Sequence, residues 1–331
     1  MRILSNKPAL AGLVVLLSVL MVLGLTFGAS TLDWSAVWQA WHTGNNESPE
    51  LRILLWARLP RVIGGVLAGA ALAVAGVILQ AMLRNPLAGP NVLGVNAGAG
   101  FCVLLAAALW PDASALLPAA AFAGALLAVG ILLLLTIRGG ASGTALVLLG
   151  VALTTIFSAG MDCILLFWPD AYVGAAGFLV GSLAYVTPEK LGFAAPYILV
   201  GLVLAALLAR ELNLLSLGVE MARSLGQNVR LAQTALLLIA ALLVGSAVSF
   251  AGLLSFVGLI VPHIMRFLLG GDNHLLLPVS ALGGASLVVA ADLLARLLFA
   301  PYELSVGILL AALGGPFFIY LVICNRSKVY D

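Results

Sequence analysis

Residues 61–95 read "RVIGGVLAGAALAVAGVILQAMLRNPLAGPNVLGV". From Val62 to Met82 no residue carries a charge. About 20 such residues, rising 1.5 Å each, cross the ~30 Å hydrocarbon layer of a bilayer. The run predicts a transmembrane helix over 62–82. Gly65 and Gly69 within it stand four apart, with Ala68, Ala73 and Gly76 nearby. Such small residues let helix backbones approach closely in lipid, where no hydrophobic drive joins one helix to another. The run then stops abruptly. Between Arg84 and Val95 the chain places Asn85-Pro86, Gly89-Pro90, Asn91 and Gly94. Each X-Pro pair disfavours helix before the proline, so 84–94 reads as a turn between two membrane helices, with Arg84 near the inner face. Irregular backbone is tolerated there only where protein or water covers it.

The same alternation of run and break recurs along all 331 residues, of which 63% are hydrophobic and 8% charged. A soluble domain is about half apolar and about a quarter charged. Long unbroken apolar runs also exclude a β-barrel, whose strands alternate. The expectation is one all-α, polytopic membrane domain over 1–331 with about ten transmembrane helices, near 9–28, 62–82, 93–110, 117–137, 145–167, 192–209, 231–250, 252–269, 277–298 and 306–324. The run at 9–28 is long enough to span and is read as a helix rather than a signal peptide. The stretch 172–186 is too broken by glycine to span and reads as re-entrant or interfacial.

An even number of spans puts both ends on one side. With both in the cytoplasm, ten of the fifteen Lys and Arg residues fall inside, as the positive-inside rule asks. Arg58, Arg61 and Arg296 run against it on the outer side and so invite a functional reason. The longest outer loop, 29–57, holds Trp34, Trp38 and Trp41 on one helical face, suited to an interfacial anchor. The longest inner loop, 209–230, is amphipathic and marked by Gly218 and Gly226; it predicts two short helices meeting at a turn, with Gly226 ending the second.

Motifs of enzyme chemistry are missing. The chain has no G-x-x-x-x-G-K-[ST] loop, no nucleophile elbow and no H-E-x-x-H. Its three cysteines are scattered and its three histidines unclustered, so no catalytic residue, cofactor or metal is expected. A net charge of +2 offers no broad field for nucleic acid. Two acids fall inside spans. Asp292 has Arg296 one helical turn on, which predicts a local ion pair. Asp162 shows no sequence partner and reads as a polar cavity-lining residue. His263, after Pro262, reads as a hydrogen-bonding group at a helix end rather than a ligand.

Taken in order, "RLPR" (58–61), "QAMLRNPLAGPNVLGVNAGA" (80–99), "LGVEMARSLG" (217–226), "FVGLIVPHIMR" (256–266), "LLPVSALGGASLVVAADLLAR" (276–296) and "ELSVGILLAALGGPFFIYL" (303–321) resemble the permease subunits of bacterial ABC importers for iron–siderophores, haem and cobalamin. The resemblance implies a ten-helix, cobalamin-permease-like subunit of the bacterial inner membrane, without its own ATPase. It implies a second permease subunit, identical or paralogous, two cytoplasmic ATP-binding subunits and a periplasmic substrate-binding protein. By the same resemblance, Arg58, Arg61 and Arg296 would dock carboxylates of the binding protein. Leu217, Gly218, Glu220, Ala222, Arg223, Leu225 and Gly226, within a coupling segment over 210–229, would seat in the ATPase. Ser142, Gly143 and Thr144 would form a cytoplasmic gate. The favoured cargo is an iron–siderophore, with cobalamin or haem as the alternative. An ion-coupled secondary transporter, which would need internal repeats and midplane charges, is the reading from another class.

Overall fold

The computed structural model describes residues 7–28, 32–45, 47–139, 143–300 and 302–325. The secondary structure of these residues is helical, with no strand among them. In chain order the helices are α1 (Lys7–Thr26), α2 (Trp34–Thr43), α3 (Pro49–Arg52), α4 (Leu59–Leu83), α5 (Val95–Leu109), α6 (Leu117–Gly139), α7 (Gly143–Phe167), α8 (Ala171–Val180), α9 (Pro188–Leu207), α10 (Ala209–Ser216), α11 (Val219–Ser224), α12 (Val229–Ala251), α13 (Val257–Leu269), α14 (Asn273–Leu298) and α15 (Val306–Asn325). Seven helical stretches are long and apolar enough to cross a membrane. Shorter apolar helices, α5, α13 and α15, supply the remaining expected spans. At ten residues, α8 is about 15 Å long and cannot span, consistent with the broken character of 172–186.

The centre of the bundle is α4, α12 and α14, whose apolar residues are mostly buried, whereas α1, α7 and α9 keep most of theirs outside. α14 lies along α4 over much of its length. Gly69 on α4 faces Gly284 on α14, and a Cβ on either would overlap the other's carbonyl. Gly76 meets Gly258 of α13 in the same way. The small-residue pattern thus fixes backbone-to-backbone contacts of the central helix with two neighbours. Gln80, 1% exposed within α4, adds a polar tie: its amide donates to the Leu259 carbonyl at 3.2 Å.

Two boundaries differ from the sequence reading. The second span does not begin at 62. Residues 49–83 run as one helical stretch through a π-helical turn, Ile53–Arg58, into α4. Arg58 and Arg61 therefore sit on helix rather than in a loop. Most of the outer loop is likewise helical. Asp33 caps α2, accepting from the Ser35 amide at 2.9 Å, and Trp34, Trp38 and Trp41 stay exposed.

The inner turn has the form its prolines ask for. Arg84 ends α4 in a left-handed conformation (φ 50°), with Asn85 N–H on the Gln80 carbonyl and Arg84 N–H on that of Ala81, the paired bonds of a Schellman stop. The Asn85 carboxamide accepts from the Leu87 amide at 2.9 Å, so it closes the turn locally.

Candidate functional site

Three features lie at three depths of the bundle. At one end is a cluster of charge. Arg61 donates through Nε to both oxygens of Asp292 at 3.0 Å and through NH1 to Glu303 at 2.6 Å. Arg296 reaches the same Asp292 at 3.1 Å, the i,i+4 pair expected from "ADLLAR". The other side of the Arg296 guanidinium donates to the carbonyls of Phe27 at 3.1 Å and Gly24 at 3.3 Å. Arg58 donates to those of Leu25 at 2.9 Å and Thr26 at 2.6 Å. The last carbonyls of α1 have no partner within their own helix, and the helix dipole leaves that end negative. α1 carries no basic residue in its last turn. Arg58 and Arg296, from other parts of the chain, fill the role.

Burial divides the cluster. Arg58, Asp292 and Arg296 are 5%, 2% and 2% exposed, whereas the Glu303 side chain is 36% exposed and that of Arg61 11%. The structure thus brings the three sequence-predicted arginines together. Two of them are turned inward onto the chain's own carbonyls and carboxylate, and Arg61 with Glu303 forms the part nearest solvent. Glu303 was not anticipated, because its partner lies far away in sequence.

At mid-depth is a cavity of about 410 Å³, lined among others by Asn91, Asn96, Thr154, Leu253, Ser255 and Ile308. Thr154 lies near the middle of α7, and the α8 end, the 252–256 break and the α15 start meet beside it. Backbone bonds knit these ends: Leu253 N–H donates to the Phe178 carbonyl and Gly307 N–H to that of Gly181. Phe256 opens α13 at φ 66°, a conformation a bulky residue adopts only when its surroundings impose it. Broken helices at this depth are tolerated where they line a water-filled cavity. The Asn96 side-chain amide donates to the Asn91 side-chain oxygen, Oδ1, and the wall holds no titratable group among its lining residues.

At the opposite end are α10 and α11. Gly218, at φ 112°, makes the turn between them, and its Cα faces the Arg84 guanidinium. Gly226, at φ 82°, ends α11: its N–H bonds the Arg223 carbonyl and that of Gln227 bonds Ala222. Ala222 is fully buried, while Leu217, Met221 and Leu225 are 58%, 54% and 56% exposed. These three exposed apolar side chains, Leu217 before the Gly218 turn, Met221 within α11 and Leu225 at its end, stand with exposed Glu220 and Arg223. Met221 adds to the two motif leucines; its i,i+4 spacing from Leu225 was the available signal. Of the gate candidates, Ser142 lies outside the described residues, and Gly143 and Thr144 open α7. Beneath α10, the Asn213 amide donates to Asp272 at 2.8 Å and holds that carboxyl below its ordinary value.

Residues 16–324 match the FecCD transport family. The chain belongs to that family. It is 39% identical to the hemin transport system permease protein of Yersinia pestis, over 96% of either chain. It is 40% identical to the ferric enterobactin transport system permease protein of Escherichia coli, again over 96% of both. The Fe(3+)-citrate import system permease protein YfmE of Bacillus subtilis is 38% identical over 98% of each. A solved inward-facing structure, described as of metal-chelate ABC-transporter type, superposes with a TM-score of 0.85 at 29% identity, covering 96% of this chain and 99% of that one. The FecCD family chain is therefore a multi-pass membrane permease with an all-helical bundle.

Proposed function

We propose that this FecCD family chain forms the translocation path for an iron–siderophore complex in the bacterial inner membrane, with both termini cytoplasmic. The observation that carries this reading is the cavity where the α8 end, the 252–256 break and the α15 start meet beside α7. Its mainly apolar lining, with a few uncharged amides and hydroxyls, suits a large pre-formed chelate that must be held weakly to leave again. The hemin, enterobactin and citrate systems of its relatives favour an iron chelate over cobalamin.

Two cytoplasmic ATP-binding subunits supply the energy by seating α10 and α11, with Leu217, Gly218, Met221 and Leu225 as the apolar contact and Glu220 and Arg223 at its rim. Ala222 and Gly226 shape the segment from within. The substrate-binding protein docks at the outer charge cluster, its carboxylates meeting Arg61 first; Arg58 and Arg296 become available as the end of α1 moves. Guanidinium forks orient carboxylates bidentately, which gives the docking its register. A second permease subunit covers the outward face of α7, which exposes Asp162 within an apolar span, a position poorly suited to lipid. Ser142, Gly143 and Thr144 serve as the inner gate.

The test is uptake into vesicles carrying the permease with its cognate ATPase and binding protein, comparing ferric siderophores, haem and cobalamin. ATP-dependent accumulation of ferric siderophore is the expected result. Accumulation of cobalamin or haem alone would replace the cargo assignment.

A further inference from the structure

One helix, α14, runs from the α10 segment to the charge cluster, and beside the apolar packing of α10 on α4 and α14, through buried Leu212 and Leu215, a carboxamide makes the polar joint. Asn213 on α10 donates through Nδ2 to Asp272 at 2.8 Å. Its Oδ1 accepts from the Asn273 backbone N–H at 2.9 Å and from the Asn273 side chain at 2.8 Å. Asp272 is also the cap of α14, accepting from His274 N–H at 3.1 Å. The Asp272 carboxylate takes the His274 amide, and the Asn273 amide of the same first turn is taken by Asn213. The Asn213 bonds therefore complete the cap of α14 and at the same time tie α10 to it, a directional link between two elements.

α14 has 26 residues, about 39 Å at 1.5 Å each. Asn273 at one end is 1% exposed, and Asp292 and Arg296 at the other are each 2% exposed. Between them Gly284 lies backbone to backbone on Gly69 of α4, so the helix has no room to shift sideways without carrying its neighbour. A push on α10 consequently has a stiff route to the ion cluster.

We propose that Asn213 is a positioning residue that fastens the inner segment to α14, so that displacement of the segment is delivered along this helix to Arg61, Asp292 and Arg296. The proposal rests on the reading of α10 and α11 as the ATPase seat. It assigns the coupling of binding-protein docking to ATP hydrolysis to one clamp rather than to the bundle at large.

The experiment uses the full transporter in proteoliposomes and reads three quantities: ATPase retained on the permease, basal ATP hydrolysis, and its stimulation by the loaded binding protein. Asn213→Asp sets two carboxylates against each other at the joint. It is expected to lower stimulation about tenfold, within the usual span of coupling between sites, and to lower basal hydrolysis by a smaller factor than stimulation. Asn213→Asp with Asp272→Asn exchanges donor and acceptor, keeps a good helix cap, and is expected to restore most of the stimulation. Unchanged stimulation in the single variant would overturn the proposal. So would loss of retention and basal hydrolysis that the exchange does not rescue, since that marks a purely structural residue. Leu225→Asp serves as the control for the seat itself: it should release the ATPase. Retained ATPase in that control would remove the underlying reading, whereas release there with normal stimulation in Asn213→Asp would remove the clamp alone.

Discussion

The outer and inner ends of this permease are built on opposite plans. Outside, charge is turned inward: three guanidiniums meet two carboxylates and the end of α1, and Arg58, Asp292 and Arg296 are almost wholly buried. Inside, apolar surface is turned outward: Leu217, Met221 and Leu225 stand more than half exposed on a short amphipathic helix pair. Each plan inverts what the local solvent would favour. A buried ion cluster is strongly destabilised when one partner is removed, so the outer end is held in register by its own chain. Exposed apolar surface gains little until a partner covers it. The difference teaches that one end is closed upon itself, whereas the other leaves apolar surface for something else to cover.

Substitutions at each end should therefore fail differently. Leu217→Asp with Leu225→Asp should have the largest effect, abolishing co-purification of the ATP-binding subunit and reducing transport to background, with the permease still folded by thermal melting. Asp292→Ala should do the reverse. It leaves Arg61 and Arg296 without their shared carboxylate, and loss of one partner of a buried pair costs about 3–5 kcal/mol, so the melting temperature should fall sharply. If Asp292→Ala melts like the wild type, the outer cluster is not closed upon itself as described above.

Intermediate effects sharpen the outer end. Arg61→Gln, at the more exposed part of the cluster, should weaken binding-protein docking while the ATPase remains attached, as pull-down of each partner would report. Glu303→Gln should alter stability by less than about 1 kcal/mol, because the pair it breaks is partly exposed. It should nonetheless tighten docking several-fold by freeing Arg61 for an incoming carboxylate; weaker docking measured by surface plasmon resonance would contradict that. The smallest effect concerns Asp272. Its carboxyl is held below the ordinary value of 3.8 by the Asn213 amide. The sign is that of a depressed acid: its contribution is fully present above pH 3.8 and lost as pH falls through the lower folded value. The stability difference between wild type and Asn213→Ala should thus be constant near neutral pH and shrink only below that range.

Much of this was legible in the sequence because the bilayer imposes long periods and few exceptions. The breaks at Pro86, Pro90, Gly218 and Gly226 announced their turns, and the i,i+4 spacing of Asp292 and Arg296 announced their ion pair. What escaped were contacts between distant segments. Glu303 on Arg61, the α1 carbonyls on Arg58, and Asn213 on Asp272 each join residues whose own neighbourhoods say nothing of the partner. The start of the second span was also misjudged. Arg58 and Arg61 read as lying outside the span because charge is rare in one, yet burial in an ion cluster lets helix continue through them.

The claim on which the rest depends is that transport is powered by ATP hydrolysed on a partner seated at α10 and α11. The direct measurement is ferric-siderophore uptake into proteoliposomes with ATP enclosed on the side of that seat and loaded binding protein on the other. The account predicts accumulation that requires both partners and stops with a non-hydrolysable nucleotide. Accumulation driven by a proton or sodium gradient, with the ATP-binding subunit absent, would contradict it.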